Sequence, residues 1–188
     1  MPPGLKFTKE EIINAALCLV REKGISALTA RGLAEKLGSS PKPIFGLFSN
    51  MDEVKTEVTV KANELYQSFL SDEMAKDVYP PYKASGMAYI RFAKEETQLF
   101  KLLFMRDRSN EIITQNKEET APLVKMIREK LNISEEKAYL FHLEMWVYVH
   151  GIATMLATSY LNWDLNFISN SLTDIFEGLS RRYSNGGN

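Results

Sequence analysis

The residues of this chain that could bind a metal or attack a substrate are few. Its two histidines, His142 and His150, are eight residues apart and fall near the same face of a predicted helix. No cysteine or pair of carboxylates completes a metal-binding set with them. The lone cysteine, Cys18, lies in the apolar pattern of another predicted helix, and no glycine-rich phosphate loop is present. We therefore expect no metal, no cofactor and no catalytic activity.

Binding of a polyanion is a second kind of chemistry, and charge indicates it only weakly. The net charge is −1, but residues 1–55 contain eight Lys or Arg and six Asp or Glu, whereas the remainder contains 15 and 18. The N-terminal part is thus +2 and the rest −3, an asymmetry of the sign that nucleic-acid binding requires. Charge alone would not identify such a protein.

The elements that must position these residues are helical throughout, because 3.6-residue periodicity recurs along the chain and no useful strand-like alternation appears. Thr8 and Glu11 form a capping box that begins the first helix, which Gly24 ends. A second, short helix begins at Thr29 and ends at Gly38. Ser40 is expected to cap a third helix with Pro41 at its first position.

Three short helices within 50 residues, with a tight turn between the second and third, form a helix-turn-helix pattern. Ile44, Phe45 and Phe48 follow helical spacing, and we expect Phe45 and Phe48 to be core residues. Arg31, taken alone, would more often be a solvated surface residue.

Six further helical segments follow. The fourth helix is capped by Asn50 and Glu53 and runs to about Glu73. Others begin after Pro81 and, beyond a break near residues 95–97, at about Gln98. The remaining segments cover about 111–131, with Pro122 as a kink or interruption, then Ser134 to about 161, and Asp164 to about 182. The predicted fold class is all-α, an N-terminal three-helix domain (1–54) followed by a helical bundle (55–188).

The runs LTARGLAEKLG (28–38) and PIFGLFSNMDEV (43–54) resemble the DNA-binding domain of the tetracycline-repressor family. The similarity covers about the first 55 residues, and the length and all-helical remainder agree with it. Two later segments, LFKLLF (99–104) and WVYVHG (146–151), resemble ligand-binding domains of one branch of that family. The resemblance implies a homodimeric transcription regulator that binds double-stranded operator DNA.

Particular DNA-binding residues follow from that resemblance. Arg31 matches a position that can contact a guanine edge, and Thr29 and Ala30 match phosphate-contacting positions. Ser40, Pro41, Lys42 and Pro43 match recognition-helix positions facing bases and adjacent phosphates.

The sequence departs from the family at three DNA-contacting positions. Phe45 stands where a tyrosine usually meets a phosphate, Leu47 replaces a frequent histidine, and Met51 replaces a usual lysine. Each departure removes a phosphate anchor, for which Lys55 compensates only partly.

The helix that begins at Ser134 is apolar nearly all round, so every side of it must be covered. Its own domain covers one side, and a second subunit or a ligand cavity must cover the rest. The family implies a two-fold interface made by the last two helices. The residues predicted to form it are Ile152, Leu156, Ile168, Leu172, Ile175, Phe176 and Leu179, with Gly178 allowing close approach.

An aromatic-rich set of side chains is the candidate lining of a small-molecule pocket, although most of them suit an ordinary core as well. The candidates are Phe69, Tyr89, Phe92, Phe100, Phe104, Phe141, His142, Met145, Trp146 and His150. His150 beside Gly151 is expected to make a buried hydrogen bond, or at most to be a polar anchor in an apolar cavity.

The resulting hypothesis is a repressor that a small apolar or aromatic effector releases from its operator, through movement of the fourth helix. The alternative is a helical ligand- or partner-binding protein with a weakened DNA-binding head, motivated by Phe45, Leu47 and Met51. An enzyme is the third and least supported reading. The apolar stretch 145–161 is interpreted as a buried helix, not a membrane span. The absence of a secretory pattern at the first residues, together with the lone Cys18, predicts a cytoplasmic protein.

Overall fold

A computed structural model describes residues 7–107 and 117–184, with the side chains of 117–119 left aside. Over these residues the chain is all-α: it forms nine α-helices and one short 3-10 turn, and no strand. The all-α prediction is confirmed. No helix in the described ranges is both long enough and apolar enough to cross a membrane.

Local capping explains the first two helices. Helix α1 (Lys9–Lys23) begins after Thr8, whose hydroxyl accepts from the Glu11 N–H at 3.1 Å while the Glu11 carboxylate accepts from the Thr8 N–H at 2.7 Å. Gly24 ends the helix with φ +79°, a conformation that favours glycine. A 3-10 turn (Ile25–Ala27), which the sequence did not predict, leads to α2 (Ala30–Lys36), capped by Thr29.

The third helix differs from the expectation. Helix α3 (Lys42–Phe45) is a single turn whose N-cap is Pro41, with no side-chain cap, so the predicted Ser40 cap is wrong. A local contribution is that Pro41 and Pro43 would occupy the first and third helical positions without an N–H, so a Ser40 cap would have only the Lys42 N–H to accept from.

Helix α4 (Met51–Ala75) begins where predicted. Asn50 Oδ1 accepts from the N–H groups of Asp52 and Glu53, each at 2.9 Å. The Glu53 carboxylate reaches back to the Ser49 N–H at 2.8 Å, which completes the turn before the helix.

The later helices are α5 (Pro81–Glu95), α6 (Thr97–Phe104), α7 (Lys117–Leu131), α8 (Glu135–Ala157) and α9 (Leu165–Ser184). The break near 95–97 is confirmed at Glu96, and Ser134 and Asp164 cap α8 and α9 as predicted. Helix α7 continues through Pro122 without interruption; the predicted start of that helix, at about Glu111, lies outside the described residues.

Helix α8 ends at Ala157, earlier than the expected 161. Ser159 adopts φ +57°, and the N–H of Tyr160 then bonds to the carbonyl of Met155 at 2.9 Å. This left-handed termination is usually made by glycine, so the serine gave no signal in the sequence.

The chain forms two compact units. The N-terminal unit is Met1–Ser68 with Glu95–Arg106, and the C-terminal unit is Phe69–Lys94 with Asp107–Asn188. Helix α6 therefore belongs to the same compact unit as α1–α3, and it packs against α1. The functional boundary at residue 54 stays a prediction. The core of the N-terminal unit includes Ile12, Leu33, Ile44, Phe48 and Leu99. In the C-terminal unit, Phe141 and Met145 of α8 pack with Val124 and Ile127 of α7.

Candidate nucleic-acid interface

Helix α2 is held tightly against the turn that precedes it. Thr29 Oγ1 accepts from the Gly32 N–H at 3.0 Å. A Cβ at Gly32 would lie 2.6 Å from the Ala27 carbonyl oxygen, so only glycine permits this approach. Leu28, Leu33 and Ala34 are buried beneath the helix. Arg31, on the other side, is exposed.

The turn between α2 and α3 presents the recognition segment. Gly38 has φ +58°, and the Ser39 N–H bonds to the Ala34 carbonyl at 2.9 Å. We use the term α2–α3 surface for the exposed residues Arg31, Ser40, Pro41, Lys42 and Phe45. Of the other predicted DNA-contacting residues, Thr29 is exposed, and Ala30, Pro43, Leu47 and Lys55 are half-buried. Their contacts with DNA stay predictions.

Phe45 is not the core residue that we expected. Its side chain is 49% exposed, whereas Ile44 is fully buried and Phe48 is 2% exposed. Ile44 is the buried side chain of the single turn α3 and Phe48 is buried just after it, and a one-turn helix has no second buried face for Phe45.

Several cations of the N-terminal unit are paired with carboxylates. Lys9 pairs with Glu53 at 3.0 Å, Lys36 with Glu22 at 2.7 Å and Lys55 with Asp52 at 2.9 Å.

Arg31 and Lys42, in contrast, have no acidic partner among the residues that the structure describes. The sequence contains no Asp or Glu from Lys36 to Met51. The α2–α3 surface therefore carries uncompensated positive charge, and Lys55 is less available for a phosphate than we expected.

Helix α6 is joined to α1 by an ion pair. Arg21 Nε donates to Glu96 Oε2 at 2.8 Å, and Arg21 Nη2 contacts Glu96 Oε1. This hydrogen-bonded carboxylate raises the pKa of Arg21 above its usual value. Gln98 lies against Gly24, where a Cβ would be 2.8 Å from the Gln98 oxygen. The segment between α5 and α6 is thus fixed to the end of α1.

Two tyrosine–histidine pairs join α5 and α8 in the C-terminal unit. Tyr82 Oη lies 3.0 Å from His142 Nδ1, and Tyr89 Oη lies 2.8 Å from His150 Nδ1. Burial lowers the pKa of both imidazoles, which are therefore neutral at pH 7. The hydrogen bond expected at His150 is present, but it is only partly buried. Tyr82 was missed, although its seven-residue spacing from Tyr89 nearly matches that of the histidines.

Comparison with known proteins identifies the family. A family model described as "Tetracyclin repressor-like, C-terminal domain" matches residues 82–179, more than half of the chain. The chain belongs to the tetracycline-repressor-like family. No curated protein matches it. A crystal structure of a TetR-like transcriptional regulator from Rhodococcus sp. RHA1 has a similar fold, with a TM-score of 0.64 at 12% identity over 94% of this chain and 95% of that one. The predicted family is confirmed, and the chain is a transcription regulator of that class.

In this tetracycline-repressor-like chain the candidate pocket residues separate into several groups. Trp146 stacks on His150 with ring centroids 5.0 Å apart, next to Tyr89. His142 is paired with Tyr82. Phe69 and Phe92 form a second aromatic pair at 5.3 Å, within the C-terminal unit.

The other candidates belong to cores. Phe141 and Met145 belong to the α7–α8 core, and Phe100 and Phe104 contact each other in the N-terminal unit. Trp146 is 46% exposed, whereas Phe92, Phe100 and Phe141 are fully buried. No group of three or more His, Cys, Asp or Glu side chains in the described ranges could hold a metal ion.

The predicted subunit interface needs a correction. Ile152, Ile168 and Leu172 are at most 4% exposed within the single chain, so they are core residues and not interface residues. The pattern of apolar residues alone could not say which side of α8 and α9 faces their own core. Leu156, Ile175, Phe176 and Leu179 are half-buried, and the last three contact the α7–α8 core. Their place in an interface stays a prediction.

Other apolar residues of α8 and α9 are the exposed ones. Val147 is 63% exposed, Met155 38% and Phe167 49%. A Cβ at Gly151 or Gly178 would meet nothing within 4 Å. These positions form the free apolar faces of the two helices. Among them, Gly178 alone was predicted to lie at the interface.

Proposed function

We propose that this protein is a homodimeric repressor in the cytoplasm that binds operator DNA and is released by a small apolar or aromatic effector. The observation that carries the proposal is the α2–α3 surface, where Arg31 and Lys42 are exposed and have no acidic partner within the described part of the chain. DNA phosphates would supply the missing negative charge, and the bases would supply acceptors. The proposal assigns no chemical step to the chain.

In the proposed complex α3 enters the major groove. Arg31 offers two parallel donors to a guanine edge, and Lys42 neutralises a neighbouring phosphate or contacts a base. Two copies would read half-sites about one helical turn apart, or a multiple of it.

The second subunit is proposed to cover the free apolar faces of α8 and α9. Val147 and Phe167 are large apolar side chains left in water in the single chain, which is unfavourable by roughly 25 cal/mol per Å² of apolar surface. Gly151 and Gly178 would let the helices of a partner approach closely. Family membership supports the same arrangement.

Release by an effector requires coupling between the two units. Helix α4 belongs to both, because Met51–Ser68 lies in the N-terminal unit and the following residues in the C-terminal unit. The Arg21–Glu96 ion pair is a second element through which movement of the α5–α6 segment would reach α1. The half-exposed Trp146 beside the Tyr89–His150 pair is the proposed anchor for an aromatic effector, which must bind the two states with different affinity to act.

Selection of duplexes from a random DNA library, followed by titration at several salt concentrations, tests the DNA-binding step. We expect Arg31→Ala to weaken binding by about 10- to 100-fold and to relax preference at one base pair. Lys42→Ala should weaken binding to all sequences and, if it contacts a phosphate, reduce the salt slope by about one.

Lys61→Ala is the matched control, because Lys61 is exposed on α4 but paired with Glu64 at 2.8 Å. It should leave affinity unchanged. Failure to select any duplex at low salt would favour the alternative, a helical ligand- or partner-binding protein with a weakened DNA-binding head. An effector that binds without changing DNA affinity would contradict the switch.

A further inference from the structure

Phe45 is the largest apolar side chain of the α2–α3 surface. The residue is 49% exposed, although Ile44 and Phe48 on either side of it are buried. Lys42 precedes it by three residues, so the two side chains project from neighbouring positions of the same helical turn. The α2–α3 surface therefore presents an exposed ring one turn away from a cation that has no acidic partner among the described residues.

The ring has no hydrogen-bonding atom, so it can recognise a base only by apolar contact. In the major groove the one apolar group on a base edge is the C5-methyl group of thymine. Cytosine lacks that methyl group and presents an amino donor near it, which a phenyl ring would desolvate without a partner. The chemistry of Phe45 therefore distinguishes thymine from the other bases.

We propose that Phe45 is a specificity-determining residue that contacts a thymine methyl group in each operator half-site. This inference rests on the proposed DNA-binding function. The sequence comparison alone treats Phe45 as a lost phosphate anchor, whereas its exposure on α3 gives it a base-reading role. The adjacent Lys42 holds the backbone close enough for the apolar contact to form.

Replacement of thymine by deoxyuridine tests the contact, because it removes only the methyl group. Duplexes selected by the wild-type protein are resynthesised with uracil in place of two thymines at symmetry-related positions, one in each half-site. One such set of positions is changed at a time. At the contacted pair we expect affinity for the wild-type protein to fall by about three- to fivefold per methyl group lost. Substitution elsewhere should have little effect.

The variant Phe45→Ala completes a double-mutant cycle. It should bind the thymine duplex about tenfold more weakly than wild type and should no longer distinguish thymine from uracil at that pair. Phe45→Tyr keeps the ring and should keep the discrimination. Ile25→Ala removes another exposed apolar side chain, 38% exposed on the 3-10 turn, and should change neither.

The outcomes separate this inference from the function beneath it. Suppose that duplexes are selected but uracil changes the affinity at no position, or that Phe45→Ala still distinguishes thymine from uracil. The inference is then wrong, because the ring packs on the sugar–phosphate backbone. The regulator proposal would still stand. If no duplex is selected, both fail. Because Phe45 is half-exposed, its variants should fold, and an unchanged thermal unfolding transition verifies this.

Discussion

The two units of this protein differ in the kind of side chain that each leaves exposed, charged in one and apolar in the other. On the α2–α3 surface, Arg31 and Lys42 are exposed, and residues 7–107 and 117–184 offer them no acidic partner. In the C-terminal unit, the buried histidines are paired with tyrosines, and the buried carboxylate of Glu73 bonds to Arg91 Nη1 at 2.5 Å. That unit leaves apolar side chains exposed instead, among them Val147 on α8.

This difference indicates different kinds of partner. Exposed cations are stable in water, and they gain the most binding energy from a polyanion. The described residues supply no such negative charge to Arg31 and Lys42. Exposed apolar side chains gain most from another apolar surface, such as a second copy of the same helices. The contrast can be tested by changing one kind of surface without the other.

The largest effect is expected when charge is placed on the exposed apolar face. Val147→Glu would add a carboxylate to each subunit of the proposed two-fold interface, where burying it unpaired is costly. We expect dimer dissociation to increase on the order of 100-fold, with helix content unchanged because Val147 is exposed in the single chain. Sedimentation at several protein concentrations measures the change.

Val78→Glu is the matched control, since Val78 is 65% exposed in the loop between α4 and α5 and lies on neither α8 nor α9. It should leave the oligomeric state unaltered. A Val147→Glu protein that sediments like wild type would remove this part of α8 from the proposed interface.

A smaller effect is expected from the buried carboxylate of the C-terminal unit. Glu73 is 4% exposed and also accepts from Lys76 at 2.8 Å. Glu73→Ala removes the hydrogen bonds that this carboxylate accepts from Arg91 and Lys76 and should lower the free energy of unfolding by about 1–3 kcal/mol. Thermal unfolding should shift by about 2–4 °C per kcal/mol.

Glu64 on the same helix provides the comparison. Its side chain is 58% exposed in its pair with Lys61, so Glu64→Ala should cost no more than about 0.5 kcal/mol. Equal losses from Glu64→Ala and Glu73→Ala would mean that burial does not strengthen the Glu73 contacts.

The smallest effect is a pH dependence from the paired histidines. Burial holds the pKa of His142 and His150 below 6.5 in the folded state. As pH falls through 6.5, the unfolded state takes up protons first, so stability declines on acidification towards the folded-state pKa. The double variant His142→Asn/His150→Asn should lose less stability than wild type between pH 7.5 and 5.5, measured by chemical denaturation.

Two carboxylates with shifted pKa values, Glu22 and Glu53, do not titrate in that interval. Hydrogen bonds from Lys36 and from the Ser49 backbone hold the pKa of Glu22 and Glu53, respectively, below 4.5. A pH response that survives removal of both imidazoles would assign it to other groups.

Much of the N-terminal unit could be predicted because its signals are local. Thr8, Thr29 and Asn50 each cap the helix that follows them, and Gly24 ends α1, all within one turn of the chain. The exposure of Phe45 could not be predicted in this way. It depends on whether Ile44 and Phe48 already fill the space beneath α3, which is a property of the packed core.

The C-terminal unit was harder because α8 is apolar on nearly every side. Its period therefore does not reveal which residues face inward, and Ile152 was assigned to the wrong surface for that reason. The bond from Tyr82 to His142 depends on the register of two helices 60 residues apart in sequence. Only the packed structure fixes that register.

The two prolines at α3 have a consequence for the rate at which the proposed complex with DNA would form. Pro41 and Pro43 fix φ near −65° even in an unfolded chain. The single turn α3, which ends before Gly46, therefore loses less conformational entropy when it becomes ordered. A segment this stiff can dock without first ordering itself. Its association with DNA should therefore be limited by diffusion and orientation, and not by folding of the reading element.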